Sequence, residues 1–219
     1  MPHVIVKIHP GETKRVGIVI FDEVEVLDFC GPFEVFSATR LDEARRRDEP
    51  SPFEVVLVAE TLASITTTGG MRVVPHHGFD DCPALDILVV PGGWGTRREK
   101  DNPVLLAWLR RQAAAVETLT AVCTGSMLLG FAGLLEGRHA TTHWRALDWM
   151  RESFPETIVE SDRHVVVDGR LVTSAGISAG IDMALRVVTR YCGEAVARAT
   201  AVHMEYPFPS DNLRRVPLP

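Results

Sequence analysis

The chain has no Cys-x-x-Cys pair. Its four cysteines, at positions 30, 82, 123 and 192, are scattered. That spacing argues against a zinc site built on paired thiolates and against a disulfide scaffold. It leads us to expect free thiols and a cytoplasmic location. Long apolar runs are also missing. Met127 to Leu135 is the longest, and it is broken by Gly130 and Gly133 and too short to span a bilayer. Met1 to Val16 carries His, Lys and Glu and has no apolar core of signal-peptide length. Basic residues are not massed: Arg45-Arg46-Arg47 is flanked by acids, and the net charge is −6. Nucleic acid and anionic membrane surfaces are therefore excluded as expected partners. Pro91-Gly92-Gly93-Trp94-Gly95 has no further glycine opening a helix, so it is not the dinucleotide fingerprint. The adjacent His76 and His77 are read as surface residues, since neighbours on an extended segment face apart. No repeat, low-complexity block or dividing linker is present.

What is there is enough for one domain: 219 residues, 46% of them hydrophobic. Arg15 to Phe21, Phe53 to Ala59, Asp86 to Val90, Thr118 to Val122 and Leu171 to Ser174 read as buried strands. Thr61 to Val74, turning at Gly69-Gly70, reads as a hairpin, as do Ile158 to Glu160 with Val165 to Gly169. Helices are expected after Asp22-Glu23, after the cap Asn102-Pro103, after Cys123, around Trp144 and Leu147, after Ser178, and from Glu194 to Tyr206. Strands and helices alternate. The expected fold is therefore a doubly wound, flavodoxin-like α/β sandwich with a mostly parallel sheet. Residues 1–14 are read as a lead-in, 15–206 as the domain and 207–219 as a proline-rich tail.

The chain is organised around Leu119 to Gly130. A β-branched, apolar strand runs into Cys123, and small residues then open an apolar helix. Such a turn resembles the Gly-x-Ser-x-Gly elbow, with Ala121 and Gly125 in the small positions and Cys as the exposed group. The helix N-terminus is expected to lower the thiol pKa and to make Cys123 the reactive thiol of the four. A buried structural cysteine is the competing reading. Asp28 lies in an apolar neighbourhood. From spacing alone it reads first as a cap for the segment at Gly31-Pro32. Ligands of doubly wound folds bind outside the carboxyl ends of the strands. Cys123, the Pro91 to Gly95 loop and Asp28 all follow strands at that edge, which favours a shared site.

Ala121-Val122-Cys123-Thr124-Gly125-Ser126, Pro91-Gly92-Gly93-Trp94-Gly95 and Ala140-Thr141-Thr142-His143-Trp144 resemble the motifs of the ThiJ/PfpI superfamily, relatives of class I glutamine amidotransferase domains. Leu27-Asp28-Phe29-Cys30-Gly31-Pro32 and Ala175 to Asp182 are similar to the isocyanide hydratase branch. The resemblance runs from about Val16 to Tyr206. It implies a nucleophile at Cys123, an acid at Asp28, a supporting hydroxyl at Thr124 and a homodimer. Thr124 stands where the family's proteases have His, and Trp94 and Cys30 are departures beside the site.

The activity implied is hydration of an isocyanide to an N-substituted formamide. Cys123 attacks to form a thioimidate, Asp28 manages water and protons, and N–H groups near Gly93, Trp94 and Thr124 stabilise charge. No metal or organic cofactor is implied. His143 and Ile177 are placed behind the reacting groups. The alternatives are a glyoxalase-like enzyme of the same superfamily and a ligand- or redox-sensing module related to AraC-type regulators. The acidic charge and an end at Pro219 lead us to expect no DNA-binding domain.

Overall fold

The computed structural model describes Ile8 and residues 11–216. Most of the lead-in and the last three residues of the tail lie outside the described residues. Eleven strands are described: β1 Lys14–Val19, β2 Phe53–Ala59, β3 Ile65–Thr66, β4 Arg72–Val73, β5 His77–Gly78, β6 Ile87–Val90, β7 Thr118–Val122, β8 His139–Ala140, β9 Ile158–Val159, β10 Val165–Asp168 and β11 Leu171–Ser174. The α-helices are α1 Val26–Ala38, α2 Thr96–Glu99, α3 Pro103–Ala115, α4 Gly125–Phe131, α5 Leu147–Ser153, α6 Ala179–Cys192 and α7 Glu194–His203.

Seven strands form one sheet in the order β10-β11-β7-β6-β1-β2-β5. Its pairs are parallel except β10 with β11. The expected α/β sandwich is thus the observed one. The central strands β6 and β7 are buried at every position. This follows from their unbroken runs of Val, Ile, Leu, Thr and Ala, which suit a sheet covered on both faces. From β1 the chain crosses by α1 to β2, whereas from β6 it crosses by α3 to β7, in the opposite direction along the sheet. Right-handed crossovers then place α1 and α3 on opposite faces. Helix α1 packs with α6 and α7, and α4 packs with α2, α3 and α5.

Local chemistry explains several boundaries. Asn102 Oδ1 accepts from Val104 and Leu105 N–H (3.0 and 3.2 Å), and Pro103 occupies the first helical position. Such a cap contributes about 1 kcal/mol. Trp108 on α3 is fully buried and stacks on Phe79, with ring centroids 4.4 Å apart.

Three expectations need correction. Helix α1 begins at Val26 rather than at Asp22, because Asp22 and Glu23 bind the β3 region and lie outside it: Asp22 Oδ1 accepts from Thr66 N–H. The segment from Ile158 does not form a hairpin with that from Val165. β9 pairs with β8 in parallel, and the hairpin is β10 with β11 across Gly169, whose φ is 61°. Ser178 precedes α6, but its side chain makes no cap hydrogen bond.

The proline-rich tail is held by polar contacts. Asn212 exchanges hydrogen bonds with Val165, and Arg214 Nη2 donates to Thr141 Oγ1 and the Thr142 carbonyl (2.9 and 3.1 Å). Arg215 and the Tyr206 hydroxyl both donate to the buried Asp182. Among the described residues no helix is long and apolar enough to cross a membrane.

Candidate active site

Four adjacent strands, β1, β6, β7 and β11, deliver the site from their carboxyl ends. Asp28 follows β1, Gly92 to Trp94 follow β6, Cys123 and Thr124 follow β7, and Ile177 follows β11. Gly93, Trp94, Cys123, Thr124, His143 and Ile177 line one cavity of about 210 Å³. Asp28 is fully buried, and Oδ2 accepts the Gly92 N–H at 2.8 Å. The other carboxyl oxygen, Oδ1, is buried without a partner at close hydrogen-bond geometry, while the carboxyl faces the Cys123 side chain and the Ile177 N–H. Six of the seven candidate residues thus line the cavity, and Asp28 lies buried behind it against Gly92 and Cys123. Sequence reasoning missed Glu25, Arg97, Arg145 and Ala146 on the same cavity. Arg97 and Arg145 lie in a charged surface pattern that carries no signal until the loops fold together.

Cys123 sits at the sharp turn between β7 and α4, with φ of 57°. That left-handed backbone is costly for a residue with a side chain and persists only where neighbours enforce it. Here the Cys123 carbonyl accepts from both Ser126 Oγ and Thr142 Oγ1 at 2.9 Å. Its N–H donates to the Ser174 and Ala175 carbonyls (3.3 and 3.2 Å). Ile177 shares the left-handed conformation, with φ of 55°.

Tight backbone approach shapes the floor. A side chain on Gly92 would bring Cβ within 2.6 Å of the Thr124 nitrogen and hydroxyl and 3.0 Å of Asp28 Oδ2. Only glycine leaves room for the loop between the acid and the elbow. Gly176 is just as constrained: a Cβ there would lie 2.1 Å from His143 Cδ2, so the imidazole rests against bare backbone.

The electrostatics differ from the expectation of an activated resting thiol. Burial pushes the Cys123 thiol well above its ordinary value, and the nearby Asp28 charge adds to this. Thr124 N–H and Ile177 N–H, with the Thr124 hydroxyl, favour the thiolate but do not prevail. The helix behind the cysteine, α4, has only seven residues, so its dipole is a small counterweight to burial. Burial likewise raises Asp28 to about 8, opposed by the Gly92 N–H. Near neutral pH the site holds two adjacent acids, both mostly protonated.

Three roles read from sequence are altered. Asp28 is not a helix cap: Glu25 occupies that position and Asp28 lies inside the first turn of α1. Gly93 N–H is not a free charge stabiliser, because it donates to Thr124 Oγ1 at 3.1 Å. The backbone groups aimed at sulfur are those of Thr124 and Ile177. His143 Nδ1 accepts from Arg145 N–H at 3.2 Å, capping the short turn Trp144–Ala146. Burial, and the charges of Arg145, Arg214 and Arg97, lower the His143 pKa, so its imidazole is neutral at pH 7. Trp94 is 58% exposed at the rim, with the Arg97 guanidinium 4.2 Å from its ring centroid.

A parallel α/β sheet with a cysteine on a strained strand-to-helix elbow, a buried carboxyl beside it and a glycine loop beneath defines a recognisable class. The DJ-1/PfpI family profile matches residues 14–190, and the chain belongs to that family. The chain is 37% identical over 192 residues to the isonitrile hydratase of Pseudomonas putida, covering 88% of this chain and 78% of the relative. It is 36% identical over 135 residues to the HTH-type transcriptional regulator GbdR of Pseudomonas aeruginosa, covering 62% of this chain and 36% of the regulator. A crystal structure of a THiJ/PfpI family protein from Pseudomonas syringae superposes with a TM-score of 0.79 at 30% identity, covering 91% of this chain and 78% of that one.

Proposed function

We propose that the protein is an enzyme that hydrates isocyanides to N-substituted formamides, with Cys123 as nucleophile and Asp28 as the proton carrier. The observation that carries this reading is the pairing of a buried Cys123 with a buried Asp28 whose carboxyl faces the Cys123 side chain. The 37% identity to an isonitrile hydratase supports it. The sulfur attacks the terminal isocyanide carbon as the thiol proton passes to ionised Asp28, and Asp28 returns that proton to the same carbon. The product is a thioimidate. Water then adds its oxygen to the carbon, one water proton goes to nitrogen, and the C–S bond breaks as the other proton returns to sulfur. Isocyanide plus water equals formamide, with no oxidant or reductant. Thr124 N–H and Ile177 N–H stabilise the sulfur while it carries charge, and the Thr124 hydroxyl anchors the glycine loop.

The test is incubation with an aryl isocyanide and, separately, with methylglyoxal. Formamide production that disappears in Cys123→Ala supports the reading. Turnover of methylglyoxal alone replaces it with a glyoxalase-like activity. The 36% identity to a transcriptional regulator favours a second reading, a ligand-sensing module, which gains if neither compound turns over and one binds.

A homodimer belongs to the same proposal. Phe36 is no part of an interface, since it is fully buried against Phe53. Cys30 and Phe33 remain partly exposed on α1. Light scattering at micromolar concentration giving only 24.1 kDa would refute the dimer.

A further inference from the structure

A second cavity, about 400 Å³ and away from Cys123, lies between β10, β11, the end of α6, the start of α7 and the tail. Its floor is apolar. Val172 and Val187 are almost completely buried, and Val167, Phe208 and Pro209 add apolar walls. Its rim is mainly cationic: Arg186 and Arg190 come from one face of α6, a single helical turn apart, and α7 contributes Arg198 with one carboxylate, Glu194. Phe208 sits between two of these guanidiniums, 5.9 Å from Arg186 and 5.8 Å from Arg198.

The charges are not balanced. Arg198 pairs with Glu194 at 2.6 Å. Arg186 and Arg190 are half-buried, and among the described residues no carboxylate lies within ion-pairing distance of either. Among the described residues Arg186 donates only to the Asp211 carbonyl, at 3.2 Å, and its Nε is buried without a partner. Arg190 donates to the Gly169 carbonyl and, more weakly, to the Thr118 hydroxyl. Two half-buried cations one turn apart repel each other, and burial without a counter-charge is costly. Burial lowers the pKa of both, and at Arg186 the more distant carboxylates of Asp182 and Asp211 offset this only in part. Asp182, one turn before Arg186, gives only long-range relief, because His164, Tyr206 and Arg215 already occupy its carboxylate.

We propose that this cavity binds a small amphipathic carboxylate, with its acid group on the Arg186 and Arg190 guanidiniums and its hydrocarbon body on Val172, Val187 and Phe208. Guanidinium matches a planar carboxylate with two parallel hydrogen bonds. An apolar floor under a cationic rim selects against inorganic anions, which bring no hydrocarbon, and against amines, which the rim repels. The site is independent of the chemistry at Cys123.

The experiment is isothermal titration of the full chain with octanoate, octylamine and inorganic phosphate, repeated on Arg186→Gln, Arg198→Gln and Phe208→Ala. Thermal melts report folding of each variant. The expected result is saturable octanoate binding, at least about tenfold weaker in Arg186→Gln, weaker in Phe208→Ala, and absent for octylamine. Arg198→Gln, which leaves the rim carboxylate of Glu194 unpaired, should also weaken octanoate binding, but less than Arg186→Gln does. Octanoate binding that Arg186→Gln leaves unchanged places the ligand elsewhere and overturns the proposal. Phosphate binding as tight as octanoate, or no binding of any probe to the folded chain, overturns it as well.

Discussion

The Thr142 hydroxyl donates to the Cys123 carbonyl at 2.9 Å. This bond joins the loop before the Trp144 turn to the backbone of the strained elbow. Thr142 is in turn held by Arg214, which donates to its carbonyl and to the neighbouring Thr141 hydroxyl. A tail residue thus supports the conformation at Cys123 through one intermediate.

Thr142→Val removes one of the two side-chain donors on that carbonyl and keeps the shape. The expected cost is about 1 kcal/mol of stability. Isocyanide turnover should fall with it, because the elbow relaxes away from its left-handed backbone. A melt and a turnover rate both equal to wild type would show that Ser126 alone holds the elbow.

Asp28→Asn keeps an acceptor for the Gly92 N–H but lacks the carboxylate that the proposed mechanism uses to take the thiol proton. Hydration should drop roughly a hundredfold or more. Asp28→Glu should be intermediate, since the carboxyl survives with a longer reach. Near wild-type turnover by the Asn variant, with Cys123→Ala inactive, would remove Asp28 from the mechanism.

The pH profile follows from the same carboxyl. In the proposed mechanism attack requires ionised Asp28, and burial raises its pKa to about 8. The rate should rise with pH through about 8, and the limb should vanish in Asp28→Asn. Stability should move the other way. The folded pKa is raised above the ordinary 3.8, so the proton is held more tightly in the folded state. The Asp28 contribution is therefore full below about 3.8 and is lost as pH rises towards and through 8. Chemical denaturation of wild type and Asp28→Asn across pH 4 to 9 measures the difference. A wild-type rate that is flat from pH 6 to 9 would contradict the assignment.

Gly92→Ala places a methyl group 2.6 Å from the Thr124 nitrogen and hydroxyl. The loop or the elbow must shift, at a cost of about 1–3 kcal/mol. Hydration should be lost while the far cavity at Arg186 keeps its octanoate affinity. Full activity would mean that the loop moves without disturbing the site.

The alternation of strands and helices was legible because buried strands announce themselves as unbroken Val, Ile and Leu runs, and the Asn102-Pro103 cap is local chemistry. Cys123, Asp28 and the glycine loop were legible as strand-end residues destined for one edge of the sheet. The partner of each β-strand was less so: β9 joins β8 and β10 joins β11 because long-range packing, not the local hairpin pattern, selects among similar apolar segments. Tertiary structure alone decided the protonation of the site. A helix N-terminus can be read from residues in order and predicts a lowered thiol pKa. Burial beside a second acid comes from segments 95 positions apart and raises it. The same holds for Asp28, a cap by spacing, whose burial in the folded site raises its pKa against the opposing hydrogen bond from the Gly92 N–H, 64 positions away.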